Sequence, residues 1–292
     1  MNNLNSILAL NGNTPLIKIS KGVYGKLETY NCTGSVKDRM VQYVVSSAID
    51  DNLIDGSTVL CEATSGNTGI SLSSIAALLG LECRIYMPAN MSKERTDMMK
   101  VFGSEVIYSD PDDFAGAIEM RDNFLKSNPN SWSPLQFSNP KNIECHTKTT
   151  APEIHNDMIS IEKSWDAFIH GSGTGGTIEG VRRYIVQKEL STSVHMVKPA
   201  ESPHGIQGIA DGKDFLADPK NMDSILEVST ADAISRAKNF VKSTGILIGI
   251  SSGANILAAE SWAKENDGNV VTMLCDRGER YMSVFGNKDV HI

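Results

Sequence analysis

Five stretches of this 292-residue chain set reactive side chains or anion-binding backbone at close spacing. The first is Tyr30-Asn-Cys-Thr-Gly-Ser-Val-Lys37-Asp-Arg39. A lysine amine forms an imine with an aldehyde once it is partly deprotonated, and desolvation favours that state. The plainer reading is a Gly34-Ser35 cap followed by a solvated or anion-contacting lysine. Taken alone, this plainer reading is the commoner one. The second stretch, Thr64-Ser-Gly-Asn-Thr-Gly69, offers hydroxyls and backbone N–H groups near a helix start, a receptor for a carboxylate or phosphate or simply a well-capped turn.

The third, Gly171-Ser-Gly-Thr-Gly-Gly-Thr177, satisfies G-x-G-x-x-G, so a dinucleotide site has to be weighed. The strand that should bring an acid to the ribose reads Val194-His-Met-Val-Lys198, with a base in that place. The glycines and two threonines suit a cup for a single phosphate better, and an NAD-binding protein is disfavoured. The fourth, Gly249-Ile-Ser-Ser-Gly253, holds a serine able to meet a neutral ring nitrogen. The fifth, Leu274-Cys-Asp-Arg-Gly-Glu-Arg-Tyr281, reads by itself as a charged surface loop.

The elements that must position these stretches alternate between short β-rich runs and helical patterns, the grammar of parallel βαβ units. Strands are predicted over 58–62, 83–88, 105–108, 165–170, 194–197, 246–250 and 270–274. Helices are predicted over 36–49, 69–79 (closed by Gly80), 92–103 (capped by Ser92), 177–187, 231–242 and 254–264. Sheets of this kind bind ligands at the carboxyl ends of their strands, and the loops with chemistry all sit there.

Composition narrows the classes further. Hydrophobic residues make up 40% and charged residues 21%, and the net charge of −8 argues against nucleic acid or an anionic membrane as partner. The beginning of the chain shows no leader pattern, and apolar runs such as Ile75-Ala-Ala-Leu-Leu79 are too short to span a bilayer. The five cysteines (Cys32, Cys61, Cys83, Cys145, Cys275) form no C-x-x-C pair, so neither a metal site nor a disulfide framework is indicated and a reducing cytoplasm is expected. The six histidines show no metal-like spacing, and His146, His170 and His204 read as structural or loop residues.

In order and spacing, Asn11-Gly-Asn-Thr-Pro-Leu, Lys37-Asp-Arg, Thr64-Ser-Gly-Asn-Thr-Gly, Gly173-Thr-Gly-Gly-Thr and Gly249-Ile-Ser-Ser-Gly together resemble the fold-type II pyridoxal-phosphate (PLP) enzymes. Within them the chain is most similar to the cysteine synthases (O-acetylserine sulfhydrylases), over nearly its whole length. The resemblance implies an α/β fold of the tryptophan synthase β type, two lobes each with a twisted, mostly parallel sheet flanked by helices. Residues 37–142 would form the smaller mobile lobe, and 1–36 with 143–292 the larger one. PLP would be held as a Schiff base on Lys37, which would also take the substrate's α-proton. Asn67 would contact the cofactor's 3′-oxygen, Gly173, Thr174, Gly175, Gly176 and Thr177 its phosphate, and Ser251 its ring nitrogen. Thr64, Ser65, Gly66, Asn67, Thr68 and Gln136 would bind the amino-acid substrate, with Thr64, Ser65, Thr68 and Gln136 on its carboxylate.

The implied reaction forms L-cysteine from O-acetyl-L-serine and sulfide through an α-aminoacrylate intermediate. A serine at the ring nitrogen leaves the pyridine unprotonated, which favours β-elimination over transamination. The alternatives are the same chemistry with O-phosphoserine, thiosulfate or another nucleophile, and a non-catalytic regulatory paralogue. A homodimer and docking of serine acetyltransferase are further implications. The chain mixes the two bacterial isozyme patterns: Cys275-Asp-Arg-Gly-Glu-Arg-Tyr looks like the B form, Phe137-Ser-Asn-Pro like the A form. Cys32 stands where the family has proline, which should loosen the turn before Lys37 and leaves open a redox role for that thiol. The shortened stretch 199–213, with Asp211 and Lys213, bears on acceptor choice and partner docking.

Overall fold

The computed structural model describes residues 9–209 and 216–286; Asp211 and Lys213 lie outside the described residues. The chain enters its first sheet through an antiparallel pair, Leu16–Ser20 (β1) and Val23–Leu27 (β2). Gly22, between them, has φ +71, and a Cβ there would lie 2.5 Å from the Gly268 carbonyl oxygen. The other strands of this sheet are Ala167–Gly171 (β7), Ser193–Pro199 (β8), Ser224–Val228 (β9) and Val270–Leu274 (β10), in the order β1-β2-β10-β7-β8-β9. Every pairing except β1–β2 is parallel. All residues of β2, β7 and β10 are buried, as strands covered on both faces must be.

A second, four-stranded parallel sheet has the order β5-β4-β3-β6, from Val59–Ala63 (β3), Cys83–Pro88 (β4), Glu105–Ser109 (β5) and Ser131–Trp132 (β6). Strand alternation divides its faces. Leu60, Ile85 and Met87 pack against Lys37–Asp50 (α1), Asn67–Leu79 (α2) and Lys93–Val101 (α3). Cys61, Ala63 and Tyr86 face Phe114–Ser127 (α4). The large sheet is covered on one side by Thr150–Ser160 (α6) and Gly176–Gln187 (α7), through Ile154, Ile178 and Val181. Thr230–Thr244 (α8) and Ile250–Asn266 (α9) cover the other, through Ile234, Ala254 and Ala258. Pro140–Lys148 (α5) packs on both α1 and α7 and so bridges the two sheets.

The α/β architecture is the one expected from the sequence, and two parallel sheets carry it. One strand is not. Residues 246–250 form no ladder: β10, the strand whose end they meet, is already paired on both sides, with β2 and β7. Their backbone is satisfied instead by the segment after β10, with Gly249 N–H donating to Asp276 O (3.0 Å) and Gly278 N–H to Leu247 O (3.2 Å). Helix α9 therefore begins at Ile250, four residues earlier than the pattern predicts. Gly80 closes α2 at φ +69, as expected. Ser92 sits at the N-cap of α3, but its hydroxyl donates to Arg280 O (3.3 Å) and makes no cap.

Candidate active site

Lys37 is the first residue of α1, and the turn before it is pinned from three directions. Asn31 Nδ2 donates to Glu28 Oε2 (2.7 Å) and to Ser35 O (3.0 Å). Buried Asp38 accepts from Thr33 N–H, Ser35 N–H and the Ser71 hydroxyl. The end of β10 supplies the third tie: Val36 N–H donates to Cys275 O (2.8 Å) and Arg277 N–H to Gly34 O (3.1 Å). The loosening expected from the missing proline does not follow, because Cys32 N–H donates to Asn11 Oδ1 (2.9 Å), a bond proline cannot make. Burial, and then the Asp38 charge, pushes the Cys32 thiol up, away from the reactive thiolate.

All five stretches reach one cleft of about 440 Å³, lined by Lys37, Asn67, Gly173, Thr174, Gly175, Thr177, Ser251 and Cys275 together with His170. A second hollow of about 410 Å³ adjoins it, lined by Thr64, Ser65, Thr68, Arg95, Gln136 and Phe137. Lys37, Asn67, Gly173 and Thr174 belong to both. Gly66 and Gly176 line neither. Gly66 N–H donates to Thr64 Oγ1 and Gly176 N–H to Thr174 Oγ1, each at 3.2 Å, so both shape the loops from behind.

Around the first cleft, glycines are required by space. Gly175 has φ +86. A Cβ at Gly173 would stand 2.6 Å from Gly208 O, and one at Gly176 would stand 2.1 Å from Asn142 Oδ1. Thr177 and Ile178 in the first turn of α7 line the cleft, which places a helix N-terminus, favourable for an anion, beside it. Ser251 lies in the first turn of α9. Residues 249–253 also spell G-x-S-x-G, but no strand leads into them and the strained elbow of a hydrolase is absent. His170 lines the cleft, which its reading as a structural residue does not anticipate; burial first, then the Lys37 charge, lowers its pKa to about 3, so it is a neutral imidazole. His146, between Thr150 and Thr177, is held well below the ordinary histidine value, chiefly by burial.

Comparison with known proteins decides the family. A model of pyridoxal-phosphate dependent enzymes matches residues 7–276. Cysteine synthase B of Campylobacter jejuni is 40% identical, covering 93% of this chain and 95% of that protein. The chain belongs to the pyridoxal-phosphate-dependent enzymes, among the cysteine synthases. Similar solved structures include a hydrogen sulfide-producing enzyme from Fusobacterium nucleatum (TM-score 0.90, 34% identity, 100% of this chain and 93% of that one). Another is an O-acetylserine dependent cystathionine β-synthase from Helicobacter pylori (TM-score 0.86, 30% identity, 98% of each).

As a member of this family the protein uses PLP, and the cleft fits that cofactor: a cup of glycines and threonines for a phosphate, a lysine beside it, and a serine in the first turn of α9. Among the described residues Ser172 Oγ and Asn67 Oδ1 are buried with no partner. Gly173→Ala tests the cup, because its Cβ meets a backbone oxygen that cannot swing away. We expect PLP affinity to fall by about ten-fold or more and stability by about 1–3 kcal/mol, read by equilibrium dialysis and thermal melting.

Three positioning residues escape the motif reading. Asn142 donates to Gln136 O (2.8 Å) and to Thr174 Oγ1 (3.1 Å), joining the two hollows. Glu62, buried with Arg121, accepts from Gln136 N–H (3.0 Å), while Thr68 Oγ1 donates to Gln136 Oε1 (2.6 Å). Arg95, 2% exposed, donates to Ser65 O (3.1 Å) and lies 4.9 Å from the Tyr281 ring centroid. None belongs to a glycine loop, and their long sequence separations leave no local signal. Among the described residues no His/Cys/Asp/Glu group could hold a metal, and no helix is long and apolar enough to cross a membrane.

Proposed function

We propose that this cysteine synthase homologue forms L-cysteine and acetate from O-acetyl-L-serine and sulfide, with Lys37 as both cofactor anchor and proton carrier. One observation carries the reading: Lys37 stands where the glycine cup and the Thr64–Gln136 hollow join, so one amine reaches cofactor and substrate alike. When bound, PLP draws electrons from the amino acid's Cα and makes its proton acidic. The first turn of α7 with Gly173, Thr174, Gly175 and Thr177 would hold the phosphate, with Gly176 shaping the loop behind them. Ser251 bonds the ring nitrogen, and Asn67 the ring oxygen. Thr64, Ser65, Thr68 and Gln136 grip the α-carboxylate, with Gly66 shaping their loop from behind, and set Cα towards Lys37 Nζ, which takes its proton. Acetate then leaves Cβ with the electron pair of its C–O bond, sulfide bonds to Cβ, and Lys37 returns the proton to Cα.

Cores built separately on the two sheets support movement of residues 37–142 as a lobe that closes on substrate and excludes water. The five free cysteines fit a cytoplasmic enzyme, and family resemblance supports a homodimer and leaves docking of serine acetyltransferase open to a binding assay.

Donor choice tests the reading. O-acetylserine should bleach and shift the visible band and sulfide restore it, with kcat/KM at least about ten-fold above that for O-phosphoserine, for whose added charge the stretch 199–213 supplies no arginine. A reversed ranking would make the donor assignment wrong. Gln136→Ala should raise KM for the donor roughly ten-fold, the loss of one hydrogen bond to a charged group, with kcat changed far less. An unchanged KM in steady-state kinetics would remove Gln136 from the carboxylate site.

A further inference from the structure

The stretch Leu274-Cys-Asp-Arg-Gly-Glu-Arg-Tyr281 has no part in the function above, and it is not the charged surface loop expected of it. Asp276 is 0% exposed, and Arg280 and Tyr281 are 1% exposed. Long-range packing explains this: Arg280 donates to the Thr33 and Gly34 carbonyls of the turn before Lys37. Asp276 makes no salt bridge among the described residues. Its Oδ2 accepts from Asn67 Nδ2 (2.7 Å) and from the Tyr281 hydroxyl (2.6 Å). Its Oδ1 is buried without a partner and packed so close to Gly249 that a Cβ there would lie 2.0 Å away. The carboxylate has no room to turn. The Tyr281 phenol, raised by burial and then by the Asp276 charge, keeps its proton and stays a donor.

A carboxylate only accepts hydrogen bonds, so it dictates which end of the Asn67 amide faces it. The NH₂ group turns to Asp276 and uses one hydrogen there. Its second hydrogen and the unpartnered Oδ1 are left for the cleft that Asn67 lines beside Lys37. We propose that Asp276 is the positioning residue of Asn67, locking its amide so that an N–H is offered to the cofactor's ring oxygen and tying the loop after β3 to the end of β10. This rests on the reading of Asn67 as a cofactor contact. An asparagine at 276 presents both a carbonyl and an NH₂, and the Asn67 amide then has two allowed orientations.

The test is a double-mutant cycle on the full-length protein with PLP itself as probe, read by its dissociation constant in equilibrium dialysis and by the visible spectrum. Asp276→Asn should weaken PLP binding about ten-fold and displace the absorbance maximum. In an Asn67→Ala background the same change should cost less than about two-fold, because its effect passes through Asn67. Equal losses in both backgrounds, or an unmoved wild-type band, would overturn the proposal. Should Asp276→Asn not fold, Tyr281→Phe, which deletes one oxygen and frees the same carboxylate, carries the cycle with an expected loss of about three-fold. Wild-type protein that binds no PLP would overturn the functional reading and this proposal together; PLP-binding protein indifferent to both variants overturns this proposal alone.

Discussion

Lys37→Ala is expected to lower kcat for cysteine formation by roughly 10⁴-fold or more, since one amine both anchors the cofactor and moves the α-proton. No neighbour can take over. His170, with its pKa near 3, is too weak a base, and burial followed by the Asp276 charge pushes the Cys275 thiol up to about 12. Asp38 is spent on Thr33, Ser35 and Ser71. A readout independent of turnover is available. After borohydride reduction and digestion, the wild-type peptide containing Lys37 should carry the cofactor's mass, and no peptide of the variant should. Activity within ten-fold of wild type, or labelling of another lysine, would remove Lys37 from its role.

The second large effect is on stability. Arg39 forks between Glu28 (Nε–Oε2, 2.6 Å) and Glu153 (Nη1–Oε1, 2.7 Å), and Glu28 is 0% exposed. Arg39→Ala strands that buried carboxylate and should cost about 3–5 kcal/mol, a drop of roughly 6–15 °C in melting temperature for a chain of this size. Replacing both partners by apolar residues of similar volume should recover much of the loss, since paired desolvation is then removed along with the pair. Activity should fall as well, because Glu28 holds Asn31 and Asn31 holds Ser35.

The sign of the pH dependence follows from the same geometry. Burial pushes the Glu28 and Glu153 carboxyls up, but Arg39 and the surrounding hydrogen bonds outweigh it and hold both below the ordinary 4.5. The stability they contribute is in place above that value and is lost as pH falls through their lowered folded values. The gap between wild type and Arg39→Ala, measured by urea unfolding, should therefore be full at pH 7 and narrow below pH 4.5. A gap that widens in acid would contradict the assignment.

Local pattern carried much of this protein. Glycine spacing announced the cup, because Gly173 and Gly176 stand where a Cβ would meet Gly208 O and Asn142 Oδ1. The hydrophobic run before each loop announced the strand: Cys83–Pro88 and Val270–Leu274 form with the expected bounds. The order of the loops led to the family, since each motif is short, contiguous and tied to one turn geometry. Where pairing partners decide the outcome, the pattern misled. Residues 246–250 look like a strand and are none, because the segment after β10 takes their backbone groups instead.

What the amino-acid order determined by itself is the set of local devices: lysine at a helix start, anion cup of glycines and threonines, hydroxyl-lined turn, and the α/β alternation that places them at strand ends. What only the tertiary structure decided is which polar groups leave water and whom they then meet. Asp276, Arg280 and Tyr281 read as surface, yet Arg280 is buried against a turn some 246 residues earlier and Asp276 against Asn67, 209 residues away. Burial of a charge depends on elements arriving from elsewhere in the chain, and its cost is met only by partners that those elements bring.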